Sequence, residues 1–416
     1  MTVRISRRAF VQSAALATAG VLTGPSPAPA AFALQRRQPL TDRFSDLKRH
    51  FVFEYYPWYR ADPWEHWNEA GRNPPEDLAS NYVPALGAYD SGSTAVMEQH
   101  ARWIAESGAG AIDVSWWGPD SNGNEIIPLL MDVMGDHNIH VTFNVEPYTE
   151  AHAQNYARDL LYLIKNYGDR RHWDCFLLDE RADGTVGPVL KSFRTIVPQS
   201  GSDCHGVTTP VADYAADDVW RRQTDAIRET LRGDFDRLTL LADSSNTART
   251  KAGGFDGIAL NDNYVSPDIW RQQAQNCTAR NLVFSFQVNP GFDGIVSRDV
   301  EPGSCYVPPR FVPGGGVYDW TLAEDRAAAE EASTRRIVES FNTTVALQTA
   351  QQLTNVKQGF FLVYINSFNE WHEGHQFEPM TSRENLSDDE RALGYHNADV
   401  GSYRLDTLRD LIQEML

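Results

Sequence analysis

Positive charge is what this sequence has least of. Its 37 Lys and Arg stand against 56 Asp and Glu, a formal net charge of −19. So acidic a surface repels polyphosphate chains and anionic lipid, which argues against nucleic acid as a partner and leaves neutral ligands unpenalised. Long apolar runs are missing too. The stretch Ala14–Leu22 is too short to cross a bilayer and has no stop-transfer flank, so no stable membrane insertion is expected. Cysteine is down to four residues, Cys175, Cys204, Cys277 and Cys305, and no pair has metal-finger spacing. No Gly-rich turn follows the first apolar run, where Tyr55-Tyr56-Pro57-Trp58-Tyr59 stands instead, which argues against a nucleotide-binding sheet. A Gly-x-Ser-x-Gly nucleophile elbow is absent. The string His372-Glu373-Gly374-His375 sets its histidines three apart across a glycine, where a zinc helix needs four, so neither metal nor cofactor is expected.

What is present begins with a targeting pattern. Ser6-Arg7-Arg8-Ala9-Phe10, the short apolar stretch and Ala31-Phe32-Ala33 follow one another as a twin-arginine signal, an apolar core and a small-x-small cleavage site. Residues 1–33 are therefore expected to be a twin-arginine signal peptide and 34–416 a single catalytic domain, handed to the twin-arginine export machinery and secreted or held in the cell envelope or periplasm. Export permits disulfides. Three connectivities are possible; Cys204 and Cys305 fall in predicted loops at one end of the fold and are the better pair, while Cys175 and Cys277 lie beside predicted strands and read as buried thiols. Nothing in the sequence sets an oligomeric state.

Eight short apolar runs recur, each ending in polar or aromatic residues: Phe51–Tyr55, Ala111–Ser115, His140–Val145, Trp173–Leu178, Leu238–Ala242, Gly257–Leu260, Leu282–Phe286 and Gly359–Ile365. Helical periodicity separates them, as in Thr94–Ser107, Ala151–Tyr167, Val219–Leu231 and Asp325–Leu353. Alternation of this kind predicts an α/β fold, a (β/α)8 TIM barrel, with its active site at the C-terminal ends of the strands. The long segments Arg181–Ala212 and Val288–Trp320 are expected as loops at that face, where specificity usually resides. The tails of the runs bring carboxylates, amides and rings to one bowl with few cations, which suits a neutral, hydroxyl-rich oligosaccharide or polysaccharide.

Glu370 and Glu373, in Asn369-Glu370-Trp371-His372-Glu373 after the most apolar run, are the candidate catalytic pair. Their spacing puts both side chains on one side of a turn. Neighbouring carboxylates push their pKa values apart, so that one donates a proton while the other accepts one, as glycosidic cleavage requires. The alternative is an acidic helix N-terminus stabilised by its dipole. Glu146 and Tyr148, after the third run, are candidate substrate-binding residues, with a buried structural carboxylate as the alternative for Glu146. Tyr56, Trp58, Trp117 and Tyr264 are candidate ring platforms, His66 a wall of the cleft, and Asn369 and His372 neighbours of the acids. Strand alternation lets only about half of such aromatics face the bowl.

Taken together, Ser367-Phe368-Asn369-Glu370-Trp371-His372-Glu373-Gly374 with Gln376 and Glu378-Pro379, Tyr55-Tyr56-Pro57-Trp58-Tyr59, Trp116-Trp117-Gly118-Pro119 and Glu146-Pro147-Tyr148 resemble glycoside hydrolase family 99, the endo-α-mannosidases and endo-α-mannanases. The resemblance implies a metal-independent barrel that cleaves α-mannosidic bonds within a chain and retains configuration. It also implies a 1,2-anhydro sugar intermediate, with Glu370 deprotonating the 2-hydroxyl and Glu373 serving as acid and then as base. The sequence departs from the family pattern at Leu178-Asp179-Glu180, where a Tyr often follows the fourth strand, and at His375-Gln376-Phe377, where Thr-Gln-Ile is commoner. The other readings are a barrel glycosidase acting on a different cell-envelope polysaccharide and a non-catalytic carbohydrate-binding barrel.

Overall fold

The structure is a computed structural model that describes residues 40–261, 263–313 and 318–416; the expected signal peptide and Asp262 lie outside the described residues. Eight parallel strands carry the fold: β1 (Phe51–Tyr55), β2 (Ala111–Trp116), β3 (His140–Val145), β4 (Val186–Ser192), β5 (Thr239–Ala242), β6 (Gly257–Leu260), β7 (Val283–Phe286) and β8 (Val363–Ile365). Each pairs with its neighbour in sequence from β1 to β7, and β8 lies beside β1. A parallel bridge from Val288, just past β7, to Ile365 brings the two ends of the sheet together, so the expected barrel is what forms.

Pleat parity sorts the strand residues. One face, with Phe51, Phe53, Ile112, Val114, Val141 and Phe143, packs against the helices α1 (Thr94–Ser107), α2 (Asn122–Asp136) and α3 (His152–Leu163). The other face points into the barrel. Its lower layer is apolar, built from Val52, Ala111, Val189, Leu241, Ala259 and Val283 with Leu362 and Tyr364. Two residues further along the same strands the inward positions become polar: Glu54, Asp113, Lys191 and Ser285, all buried. Burying a run on both faces is what makes parallel strands read as continuous apolar segments.

The fourth strand is a correction. Trp173–Leu178 does not form it: Phe176 makes a single bridge to Val141, and Leu178–Glu180 pairs antiparallel with the start of β4. The run is apolar because Leu177 plugs the lower end of the barrel. The strand itself, Val186-Gly187-Pro188-Val189-Leu190-Lys191-Ser192, hides its character behind Gly, Pro and Lys. Gly187 is required there, since a Cβ would lie 1.8 Å from the Arg237 carbonyl oxygen. Asp179 consequently sits on the approach to β4, away from the bowl, beside Arg181 Nε at 2.9 Å; burial pushes its carboxyl up to about 6 although Arg181 opposes the shift. The segment expected as one loop, Arg181–Ala212, divides into β4 and a loop bearing the hairpin Ser200–Ser202/Thr208–Pro210.

Further helices include α4 (Asp217–Thr230), α5 (Thr247–Ala252), α6 (Trp270–Ala279), α7 (Ala323–Gln348) and α8 (Tyr403–Gln413). Helix α1 ends where sequence periodicity places it, with Gly108 at φ 86° as its left-handed cap. Cys204 and Cys305 form a disulfide across a separation of 101 residues, joining the loops after β4 and β7, while Cys175 and Cys277 are buried thiols. Cys305→Ser is expected to cost about 2–4 kcal/mol, because the bridge limits the unfolded chain. Denaturant midpoints of oxidised protein and variant check this; equal midpoints would refute it.

Candidate active site

The polypeptide after β8 is a tight turn held from every side. Ser367 Oγ accepts the Glu370 N–H at 2.9 Å, and the Ser367 N–H donates to the His375 carbonyl at 3.1 Å, which closes the turn on itself. Gly374 lies at φ +67°, where a Cβ would stand 2.2 Å from the Asp293 carbonyl oxygen, so only glycine fits. From the loop after β7, the Asp293 and Ile295 N–H groups donate to the carbonyls of Glu373 and His372, each at 2.9 Å. From α8, Arg404 donates to the carbonyls of Gly374 at 2.9 Å and Gln376 at 3.0 Å. Within the turn, Trp371 Nε1 donates to the buried Glu378 at 2.9 Å.

Glu370 and Glu373 both project to one point. His375 Nε2 is 3.2 Å from Glu370 Oε2 and 2.9 Å from Glu373 Oε2. Glu370 is 2% exposed, and the Glu373 side chain retains 15%. Burial alone would depress the His375 pKa, but hydrogen bonds and charge from the two carboxylates outweigh it and hold the imidazole above its ordinary value. Tyr59 is pushed well up, first by burial and then by the Glu370 charge.

Trp58 gathers one wall of aromatic rings. It lies 4.8 Å from the Tyr56 ring, 4.6 Å from His66 in a stacked arrangement, 6.4 Å from Trp117 and 6.0 Å from His372. Tyr264 stands apart from this group, 4.6 Å from Phe292, whose ring is 6.2 Å from His375. Glu146 is fully buried and accepts from Ser115 Oγ at 2.8 Å and Asn144 Nδ2 at 3.0 Å, while Trp117 Nε1 donates to the same Ser115 Oγ at 3.1 Å.

Three sequence candidates have their polar atoms engaged by the fold. Asn369 clamps the end of β1, accepting the Tyr56 N–H at 2.8 Å and donating to the Tyr56 carbonyl at 3.0 Å. His372 Nε2 faces the His66 carbonyl at 3.0 Å, so that nitrogen carries the proton and Nδ1 accepts from Tyr59 Oη at 3.1 Å. Tyr148 turns its hydroxyl to Asp159 on α3 at 2.8 Å, and burial pushes its pKa up to about 12.

Beneath the bowl lies a network that the sequence reading missed. Lys191 Nζ and Gln287 Nε2 both contact Glu54 Oε1, and Tyr56 Oη donates to Glu54 Oε2 at 3.2 Å. Strand parity was the available signal, since Glu54 must share the inward face of Val52. Asp113, alongside, finds no hydrogen-bond partner among the described residues; burial, and secondarily the Glu146 charge, push its pKa well up. Lys191 is 3.9 Å from Asp113 Oδ2 and is committed to Glu54, so it does not offset that burial. A carboxyl whose folded pKa is raised contributes stability below its unfolded value, about 3.9, and loses it as pH climbs toward the folded value. Asp113→Asn is therefore expected to match the natural protein in stability near pH 3–4 and exceed it at neutral pH. The gain should approach about 1.4 kcal/mol per pH unit between the two pKa values. Urea melts across pH check this; a constant difference would exclude a neutral Asp113.

Among the described residues, three groups bring metal-type ligand atoms within 4.8 Å of one another: Cys204, His205 and Cys305, whose two sulfurs are joined as the disulfide, then Glu370, Glu373 and His375, and His66, Glu69 and His372. In the last two, a histidine Nε2 is used as a hydrogen-bond donor, His375 to the carboxylates and His372 to the His66 carbonyl, whereas a metal needs its lone pair. The arrangement as it stands is two acids at one point, a wall of rings, and buried polar groups below: chemistry for moving protons at a bound, uncharged ligand.

Known proteins share this architecture. The model of glycosyl hydrolase family 99 matches residues 43–176, which span β1 to β3 and end before the acidic pair. The glycoprotein endo-alpha-1,2-mannosidase of Xenopus laevis is 26% identical over 357 residues, covering 78% of this chain and 68% of that protein. The mouse protein of the same name is 26% identical over 360 residues, covering 78% and 66%. The chain thus spans about two thirds of the length of these relatives. A GH99 endo-alpha-mannosidase from Bacteroides thetaiotaomicron superposes with a TM-score of 0.61 at 21% identity, over 88% of this chain and 97% of that one, which shows a common fold.

Proposed function

We propose that the chain is a member of glycosyl hydrolase family 99 and that it is an exported, endo-acting hydrolase that cleaves α-mannosidic linkages with retention of configuration; the family match over residues 43–176, the relatives and the shared fold support the reading. The observation that carries the reading at the site is the meeting of Glu370 and Glu373 at His375, with oxygens of the two carboxylates within 4.8 Å. An inverting enzyme holds its carboxyl groups about 6.5–9.5 Å apart to admit a water between them, wider than the pair here; the closer spacing of about 5–5.5 Å serves a carboxylate nucleophile, a role that the sugar 2-oxygen takes over in the route below.

Glu370, the more buried acid, accepts the proton of the sugar 2-hydroxyl. The freed oxygen attacks the anomeric carbon as Glu373 gives its proton to the departing glycosidic oxygen. That step breaks the glycosidic bond and closes a 1,2-anhydro ring. Glu373, now ionised, takes a proton from water. The hydroxide opens the ring at the anomeric carbon, and the 2-oxygen recovers its proton from Glu370. Two inversions leave the configuration unchanged. Trp58 and Trp117, both half-buried, offer ring faces to the C–H face of the sugar, while the fully buried Tyr56 and Glu146 back them from behind. Export is supported by Arg7-Arg8 and the apolar stretch behind them, and the disulfide between exposed loops suits an oxidising compartment.

The test is product analysis. Incubation with α-mannans is expected to release internal oligosaccharides whose new reducing end first appears as the α-anomer by NMR. An enzyme inert on every α-mannan but active on another cell-envelope glycan would overturn the substrate assignment. A β-anomer appearing first would overturn retention.

A further inference from the structure

We propose that His375 is a positioning residue for this reaction: its Nε2–H ties Glu370 and Glu373 into one hydrogen-bonded unit, and the imidazolium holds Glu370 in the ionised form that the base requires, setting both acids to work at lower pH than the bare pair would. The inference rests on the reading of these two acids as the reacting pair. Its geometry is independent of that reading. One nitrogen lies 3.2 Å from one carboxylate and 2.9 Å from the other, and the ring is fully buried, so it cannot swing out to solvent. Among the described residues Nδ1 has no hydrogen-bond partner, and the two carboxylates anchor the side chain.

The backbone around His375 is gripped by groups outside the acidic pair. The Ser367 N–H holds its carbonyl, and Arg404 holds the carbonyls on either side of it. The groups that face it are few. Its own turn supplies Glu370 and Glu373. The loop after β7 supplies the Phe292 ring and Asp293, whose carboxylate is paired with His396 at 2.7 Å. Helix α8 supplies the Arg404 cation, turned to backbone carbonyls and Tyr82. The two carboxylates are therefore the charges that the ring answers to directly, and their pull outweighs its burial.

The charge count follows. With His375 protonated and both acids ionised, the unit carries one net negative charge. With Glu373 protonated as well it is neutral, and that is the state able to start the reaction. Without the imidazolium, Glu373 faces the bare Glu370 carboxylate, and both acids hold protons to higher pH. An opposite charge at this range moves a carboxyl by about 1–3 pKa units.

The experiment is the pH profile of kcat/KM for the natural protein, His375→Gln and His375→Ala, with melting temperatures to confirm folding. Gln keeps an N–H donor and removes the charge. Both limbs of the bell are expected to rise by about 1–3 pH units in both variants. Limbs that stay in place while only the maximum falls would reduce His375 to a structural role and overturn the proposal. Should neither variant fold, the imidazole C–H resonances of the natural protein give a second measurement. His375 is expected to titrate above 6.5, the ordinary histidine value, and to fall in Glu373→Gln. A His375 that titrates below that value overturns the proposal even if α-mannan is not the substrate. Failure on α-mannan with the titration as expected would instead count against the substrate.

Discussion

Glu373→Gln is expected to lower kcat/KM on α-mannan by about 10²–10⁴-fold, the usual contribution of a positioned proton donor, while leaving the melting temperature within a few degrees. The substitution keeps the size of the side chain and an oxygen for His375 Nε2. The main-chain carbonyl of residue 373 still receives the Asp293 N–H. Only the transferable proton is lost. Glu370→Gln removes the proposed base instead and is expected to lose a similar factor. A substrate with a good leaving group distinguishes them. Such a group departs without full protonation, so it should restore much of the first step in Glu373→Gln and little in Glu370→Gln. Wild-type turnover in Glu373→Gln would remove this acid from the mechanism.

The largest expected effect on stability is at Lys191. Its ammonium is fully buried against Glu54, and removing one partner of a buried ion pair costs about 3–5 kcal/mol because the other charge is left uncompensated. Lys191→Met fills similar volume and should show that loss in urea unfolding. Glu54→Gln alone removes the complementary charge, and the double variant should be more stable than the sum of the two singles implies, with a coupling of about 0.5–3 kcal/mol. Strict additivity would mean that the pair does not interact energetically. Activity should fall alongside stability, because Glu54 accepts from Tyr56 Oη and Asn369 grips the Tyr56 main chain, linking the barrel floor to the acidic turn.

Seven of the eight strands were legible because burial on both faces demands unbroken apolar runs, and composition records that demand directly. β4 was not, because its Gly187 and Pro188 answer local needs, the close approach of the Arg237 carbonyl and the antiparallel lead-in at Leu178, that exist only once the chain has folded. Lys191 was overlooked for the same reason. A lysine in a sequence reads as surface until a strand carries it inward to Glu54. Asn369 and His372 were legible as neighbours of the acids, yet their partners, the Tyr56 main chain, Tyr59 and the His66 carbonyl, come from about three hundred residues away in sequence.

The amino-acid order by itself determined the alternation of strands and helices, the acidic balance, the better cysteine pair and the place of two glutamates after the last strand, because each of these is a local pattern or a count. Only the tertiary structure decided that both glutamates meet at His375, that Trp58 collects rings from three segments, and that a lysine and a glutamate share the barrel floor. Those are contacts between residues far apart in the chain, and closure of the barrel is what brings them within hydrogen-bonding range.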